Sequence, residues 1–215
     1  MPMAMEKPAT PTGIAAELWQ VDPMRAHGAW IYLFASIASG SLLGSERAIE
    51  LPMLAGTGFA GAYLVTAAIV VGVRRRTRQF LLGGSLMVVA PVGALVLGSE
   101  PSFVAVAALA ALPAAAAVAL TRRYGSLATS SLLMGIAALV MAAPMTAVAG
   151  GASLQRAALL FGLLASFFSW RTLRVAASLN DQPTWDRTQL KARGLHEAAV
   201  GAIWTLAVTA VLLIF

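Results

Sequence analysis

The chain has 215 residues, of which 59% are hydrophobic and only 11% are charged, and its mean hydropathy is +0.80. Soluble domains contain about 45–50% apolar and about 25% charged residues, so this composition excludes an ordinary water-soluble domain. The sequence has no cysteine, which excludes disulfides, zinc–thiolate sites, iron–sulfur clusters and c-type haem. The net charge of +6 comes from basic residues between apolar blocks, which indicates membrane topology rather than nucleic acid binding.

Long apolar stretches with uncharged interiors follow one another along the chain, and each could cross a bilayer core, which needs about 20 residues per helix. We therefore predict an all-α fold, a polytopic bundle of seven transmembrane helices that forms one domain over residues 26–215. Residues 1–25 are predicted to be a cytoplasmic tail that could contain a short interfacial helix. The predicted spans are 26–45, 51–73, 79–99, 101–121, 124–149, 153–170 and 198–215.

The basic residues predict the orientation of these spans. With seven spans, 13 of the 15 Lys and Arg residues lie on the side of the N-terminus, and only Arg47 and Arg156 lie on the other. Positive residues are retained in the cytoplasm, so the N-terminus is predicted inside and the C-terminus outside. We expect a multi-pass protein of the bacterial inner, cytoplasmic membrane. The 13 residues are Lys7, Arg25, Arg74, Arg75, Arg76, Arg78, Arg122, Arg123, Arg171, Arg174, Arg187, Lys191 and Arg193.

Three prolines lie near the middles of the third, fourth and fifth predicted spans, at Pro91, Pro113 and Pro144. Proline removes one backbone hydrogen bond from a helix and clashes with the preceding turn. We therefore expect each of these spans to bend within about a turn of its proline.

The span interiors contain no ionisable side chain other than histidine near one end. Proton-coupled and ion-coupled transporters normally hold their ion with an intramembrane acid, His or Lys. A magnesium–diphosphate enzyme needs several carboxylates, and the loop between the second and third spans contains arginines but no acid. The sequence therefore predicts no catalytic residues, no metal site and no enzyme.

The two histidines, His27 and His196, both precede or begin a span on the predicted cytoplasmic side. If they faced each other, two neutral imidazoles could be axial ligands of a b-type haem, or one could bind a quinone carbonyl. The alternative is that each imidazole contacts headgroups, water or a loop carbonyl. The cofactor is therefore unknown from the sequence, with haem b as the sharpest hypothesis.

The segment 171–197 is the most polar part of the chain and is predicted to be a cytoplasmic loop that contains a short helix at about 185–193. It could dock a cytoplasmic partner or an anionic headgroup, or it could be an ordinary positive-inside loop. The basic run 74–78 is interpreted as a topology signal in contact with lipid phosphates. The candidate partner or lipid contacts are Arg74, Arg75, Arg76, Arg78, Trp185, Arg187, Lys191 and Arg193.

The sequence His-Gly-Ala-Trp at residues 27–30 opens the first span, and Trp-Arg-Thr-Leu-Arg at 170–174 precedes the polar loop and His196. In these two regions the chain resembles the YwiC-like family of small bacterial membrane proteins. The resemblance implies an integral membrane protein but no particular activity. It brings four positions together as a candidate ligand-binding site: His27, Trp30, Arg174 and His196.

These observations favour a non-catalytic accessory or scaffolding subunit of a larger membrane assembly. Its expected partners are the bilayer, anionic lipids and other membrane subunits, without nucleic acid. Two alternatives stay open: a protein that binds haem or quinone through His27 and His196, and an uncoupled carrier for a small solute.

Overall fold

The computed structural model describes residues 27–46, 48–125, 128–181 and 187–214, and every regular element in these ranges is a helix. The predicted tail, residues 1–25, lies outside the described residues. A short 3-10 turn, Val73–Arg75, joins the second and third helices. The α-helices are α1 (His27–Leu43), α2 (Glu50–Val71), α3 (Thr77–Val96), α4 (Ser102–Tyr124), α5 (Thr129–Val140), α6 (Ala142–Ala149), α7 (Leu154–Asp181) and α8 (Arg187–Ile214).

Five segments are long and apolar enough to cross a membrane: α2, α3, α4, α5 together with α6, and α7. The apolar parts of α1 and α8 are shorter, at Ala29–Leu43 and Ala199–Ile214. The structure therefore confirms the all-α prediction, and its apolar helices suggest a multi-pass membrane protein. The count of seven spans stays a prediction.

The fifth predicted span is divided into α5 and α6 at Met141, three residues before Pro144. Pro144 has no N–H to donate to the Val140 carbonyl, so the regular hydrogen-bond ladder cannot continue through this turn. The α3 and α4 helices, in contrast, are assigned without interruption through Pro91 and Pro113.

All eight residues of α6 are buried, and this short helix packs against α1, α2, α4 and α7. It therefore occupies the centre of the bundle. The largest completely buried side chains around this centre include Leu33, Leu43, Phe103, Leu160 and Phe168.

Small residues allow two helix pairs to approach at backbone distance. A Cβ atom on Gly40 of α1 would overlap the hydroxyl of Thr146 and the carbonyl oxygen of Ala143 in α6. A Cβ atom on Gly61 of α2 would lie 2.6 Å from the carbonyl oxygen of Gly83 in α3. Such close approach is the usual way in which membrane helices gain van der Waals contact.

The predicted polar loop 171–197 is mostly helical. The α7 helix continues to Asp181, and α8 begins at Arg187 and runs without a break into the last apolar segment. The predicted short helix at 185–193 and the predicted seventh span thus form one helix. In the junction between residues 193 and 198, Gly194 is the only residue with a low helix propensity. Glycine destabilises a helix by about 1 kcal/mol relative to alanine, which is small beside the hydrogen bonds of a long helix.

Side-chain contacts show which helix ends lie together. Glu46, after α1, pairs with Arg156 in the first turn of α7 at 3.2 Å. At the opposite ends of these helices, the hydroxyls of Tyr32 and Thr172 are 3.2 Å apart. We call the end that contains Tyr32 and Thr172 the basic end, because most of the described arginines lie there.

Candidate functional site

A charged pair joins α7 to α8 at the basic end. Nε of Arg171 donates to Oε2 of Glu197 at 2.6 Å, and a second guanidinium nitrogen of Arg171 contacts the same oxygen. The two side chains are only 12% and 15% exposed. This geometry fixes the guanidinium more firmly than a single exposed contact would, because charge-assisted bonds strengthen when water is excluded.

Helix α1 contributes Tyr32 to the same region. Its ring stacks on Phe168 of α7, with the ring centroids 4.3 Å apart, and its hydroxyl shares a hydrogen bond with Thr172. Phe167, which precedes Phe168 in α7, stacks on Trp204 of α8, with the ring centroids 4.9 Å apart. Aromatic contacts and one ion pair therefore join α1, α7 and α8, and we call this group the three-helix cluster.

The outer edge of the three-helix cluster is Trp170, whose ring is 54% exposed. The guanidinium carbons of Arg171 and Arg174 lie 5.6 Å and 5.8 Å from its centroid, within the range of cation–π attraction. Arg171 is neutralised by Glu197, whereas Arg174 is exposed on the surface. Of these two arginines, Arg174 is the one positioned to meet an external anion.

Sequence reasoning missed Arg171, Glu197, Tyr32 and Thr172 as members of one group. Their chemistry was visible, because Arg171 and Glu197 are opposite charges at the two ends of the predicted polar loop. The sequence did not reveal how α7 and α8 align, because this register depends on the continuation of both helices beyond the apolar segments.

Of the four residues that the resemblance selects, Trp30, Arg174 and His196 lie on three different helices. Trp30 is half-buried and faces α2, where its ring meets the edge of Tyr63 at a centroid distance of 4.9 Å. Arg174 packs on Trp170, and His196 is exposed on α8. The side chain of His27 lies outside the described part of the chain, so a shared site for both imidazoles stays a prediction.

A second polar feature at the basic end is the turn between α2 and α3. Helix α2 ends at Gly72, whose φ of 112° is readily adopted only by glycine. The N–H of Arg75 then donates to the carbonyl of Gly72 at 3.0 Å, which closes the 3-10 turn. We call the open concavity of about 380 Å³ at this turn the arginine turn. Its lining residues are Arg74, Arg75, Arg76, Thr77, Arg78 and Gln79.

Hydrogen bonds fix one side of the arginine turn. Nη1 of Arg76 donates to Oε1 of Gln79 at 3.1 Å, and Nε2 of Gln79 donates to the carbonyl of Leu64 in α2 at 3.1 Å. Nearby, Nη2 of Arg122 at the end of α4 donates to the carbonyl of Ile69 at 3.2 Å. Arg76 is half-buried in this arrangement, whereas Arg74, Arg75 and Arg78 are exposed.

The predicted contact residues beyond α7 are only partly covered. Trp185 lies outside the described residues. Arg187, Lys191 and Arg193 belong to the first turns of α8, and their side chains are likewise outside the description. In the described ranges, no group of three or more His, Cys, Asp or Glu residues is placed to hold a metal ion.

No protein-family model, curated protein or solved structure matches the chain. The resemblance to the YwiC-like family therefore stays a prediction from the residues at 27–30 and 170–174.

Proposed function

We propose that the chain is a seven-helix membrane protein that acts as a non-catalytic accessory or scaffolding subunit of a larger assembly in the bacterial inner membrane. In this proposal α1 and α8 also span the bilayer, the N-terminus is cytoplasmic and the C-terminus is outside. The observation that carries the subunit role is the uncovered apolar surface of α3 and α4.

Few residues of α3 and α4 are fully buried. In their most apolar 18-residue windows, only 17% of the α3 residues and 11% of the α4 residues are buried. Helix α3 packs chiefly on α2, and α4 packs chiefly on α5 and α6 with a smaller contact to α2, so much of the apolar surface of both helices is left open. Val89 on α3 and Leu112 on α4 are each 68% exposed.

Exposing such large apolar faces to water is unfavourable, so lipid tails or the helices of other proteins must cover them. Membrane helices associate through shape and small side chains rather than through the hydrophobic effect, and α4 offers a long alanine-rich surface for this purpose. The open apolar faces of these two helices therefore favour a role in helix–helix assembly.

The orientation has separate support. The described arginines of the α2–α3 and α4–α5 connections and the C-terminal half of α7 share the basic end, while Arg156 lies at the opposite end with Glu46. This arrangement agrees with the 13 to 2 division of basic residues in the sequence.

Site-specific photocrosslinking in native membranes tests the subunit role. A photoreactive amino acid is placed at Val89 or Leu112, and a matched control carries it at Ile203 of α8, which is also 68% exposed. We expect one discrete protein adduct from Val89 and Leu112, identified by mass spectrometry, and only lipid adducts from Ile203. Lipid adducts alone at all three positions would contradict the subunit role.

A further inference from the structure

Five hydroxyl groups in the described part of the chain are buried without a hydrogen-bond partner. Those of Ser41, Ser99 and Ser131 lie in the end turns of helices or in the loop after α3. The other two, on Ser36 in the middle of α1 and on Thr205 in α8, lie away from the helix ends, and these residues are 0% and 5% exposed. A buried hydroxyl without a partner costs free energy, so these two groups require an explanation.

Neighbouring hydroxyls on the same two helices are bonded to their own backbone. Ser39 donates to the carbonyl of Ala35 in α1, and Thr209 donates to the carbonyl of Thr205 in α8, each at 2.8 Å. This bond to the carbonyl four residues earlier is the usual way in which Ser and Thr are satisfied inside a helix. The hydroxyls of Ser36 and Thr205 form no such bond, and they are not bonded to each other. Both are therefore available to a molecule between the helices.

The ring of Phe168 in α7 fixes the relative depth of α1 and α8, which pack against each other. This ring stacks on Tyr32 of α1, and a Cβ atom on Gly201 of α8 would lie 3.5 Å from its edge. Tyr32 and Gly201 therefore lie at similar depth. Both helices run inward from the basic end, and Ser36 and Thr205 each follow four residues later. The two hydroxyl residues thus share one level, about a turn deeper and on nearly the same helix faces.

We propose that Ser36 and Thr205 bind one water molecule between α1 and α8. Water fits the chemistry of the two groups, because each hydroxyl can donate and accept a hydrogen bond and water does both. A charged ligand does not fit, since residues 28–45 and 198–215 contain no Asp, Glu, Lys, Arg or His to balance it. The bound water gives α1 and α8 a polar link inside an otherwise apolar interface.

A high-resolution crystal structure of the full chain in detergent tests the water directly. We expect one solvent peak that lies about 2.5–3.0 Å from both Oγ of Ser36 and Oγ1 of Thr205. A direct hydrogen bond between the two hydroxyls would overturn the proposal. So would bonds from both hydroxyls to the carbonyls of Tyr32 and Gly201, which lie four residues earlier, or the absence of a peak within reach of both oxygens.

A double-mutant cycle tests whether the two hydroxyls share one partner. Ser36→Ala and Thr205→Val should each lower the thermal midpoint by about 2–4 °C, because each leaves the water and the other hydroxyl without a partner. The double variant should melt within about 1 °C of the less stable single variant, since neither hydroxyl then remains to be satisfied. Single variants as stable as the wild type, or losses that add in the double variant, would overturn the proposal.

Thr209→Val is the matched control, because Thr209 is buried one turn further along α8 and its hydroxyl is bonded within that helix. Its effect and that of Ser36→Ala should add within about 1 °C. Coupling of Ser36 to Thr209 as strong as that to Thr205 would contradict a shared water. If a variant fails to fold, the wild-type crystal structure decides. These measurements need no partner protein, so they are independent of the proposed subunit role.

Discussion

At the scale of single residues, the pair of Arg171 and Glu197 is the feature with the largest consequence for stability. Both charges are about seven-eighths buried, at 12% and 15% exposure, so each has lost most of its water. Their attraction offsets this loss only while both partners are present. Trp170 packs against Arg171, and the hydroxyl of Tyr32 shares a hydrogen bond with Thr172, the next residue along α7.

We predict that Glu197→Gln lowers the free energy of unfolding by about 2 kcal/mol, because it leaves the Arg171 guanidinium without a counter-charge in a mostly dry site. The measurement is the thermal midpoint of the purified protein in detergent. Arg174→Gln is the matched control, since Arg174 is exposed, and its effect should stay within about 0.5 kcal/mol.

The double variant Arg171→Gln with Glu197→Gln removes both charges together. It should recover at least half of the stability lost in Glu197→Gln, because no unpaired charge remains. A Glu197→Gln midpoint equal to that of the wild type would show that the pair contributes nothing.

At the scale of helices, α1 and α6 pack at backbone distance. Gly40 of α1 and Gly44, which follows α1, face the backbone of α6, and Gly150 after α6 would overlap the Gly44 carbonyl if it carried a Cβ atom. Thr146 uses its hydroxyl within α6, where it donates to the Ala142 carbonyl at 2.8 Å. The Thr146 hydroxyl is thus bonded within its own helix, and α1 and α6 pack through backbone surface.

We predict that Gly40→Ala lowers stability by about 2 kcal/mol, because the added methyl group would push against a carbonyl oxygen that cannot move without shifting α6. Gly84→Ala in α3 is the control, since its added methyl group would meet nothing within 4 Å. Its stability should equal or exceed that of the wild type.

Thermal midpoints of the two variants in the same detergent provide the comparison. Equal loss in Gly40→Ala and Gly84→Ala would mean that the effect arises from glycine itself rather than from the α1–α6 contact.

Hydropathy predicts where helices lie, since each apolar stretch in the sequence corresponds to a helix or a helix pair. The break before Pro144 was also predictable, because a missing N–H has a local effect. The contacts of the candidate site were harder to predict from the sequence. Trp30 contacts Tyr63 and Tyr32 contacts Phe168, and these partners depend on how α1 is rotated between α2 and α7. Apolar periodicity is nearly uniform around helices this rich in Ala and Leu, so the sequence does not encode that rotation strongly.

At the scale of the whole molecule, the distribution of charge divides the bundle into two unlike ends. Among the residues that the structure describes, one end contains the arginine turn, Arg122, Arg123 and the three-helix cluster, while the opposite end contains Glu46, Glu50, Glu100 and Arg156. Such asymmetry matches the retention of basic residues on the cytoplasmic side.

We predict that a reporter fused at Thr10 is cytoplasmic and that one fused after Phe215 is outside, because seven spans place the two positions on opposite sides. A fluorescent protein that matures only inside and a phosphatase that is active only outside provide the readout. Reporters at both positions on the same side would contradict the seven-span topology.

The central position of α6 has a consequence for biosynthesis. Helices α1, α2 and α4 leave the ribosome before α6, but α7, which covers its remaining side, is synthesised afterwards. The eight buried residues of α6 therefore stay open on one side during translation until α7 inserts. The bundle is completed by its late helices, and a nascent chain that stops before Leu154 exposes its own centre to lipid.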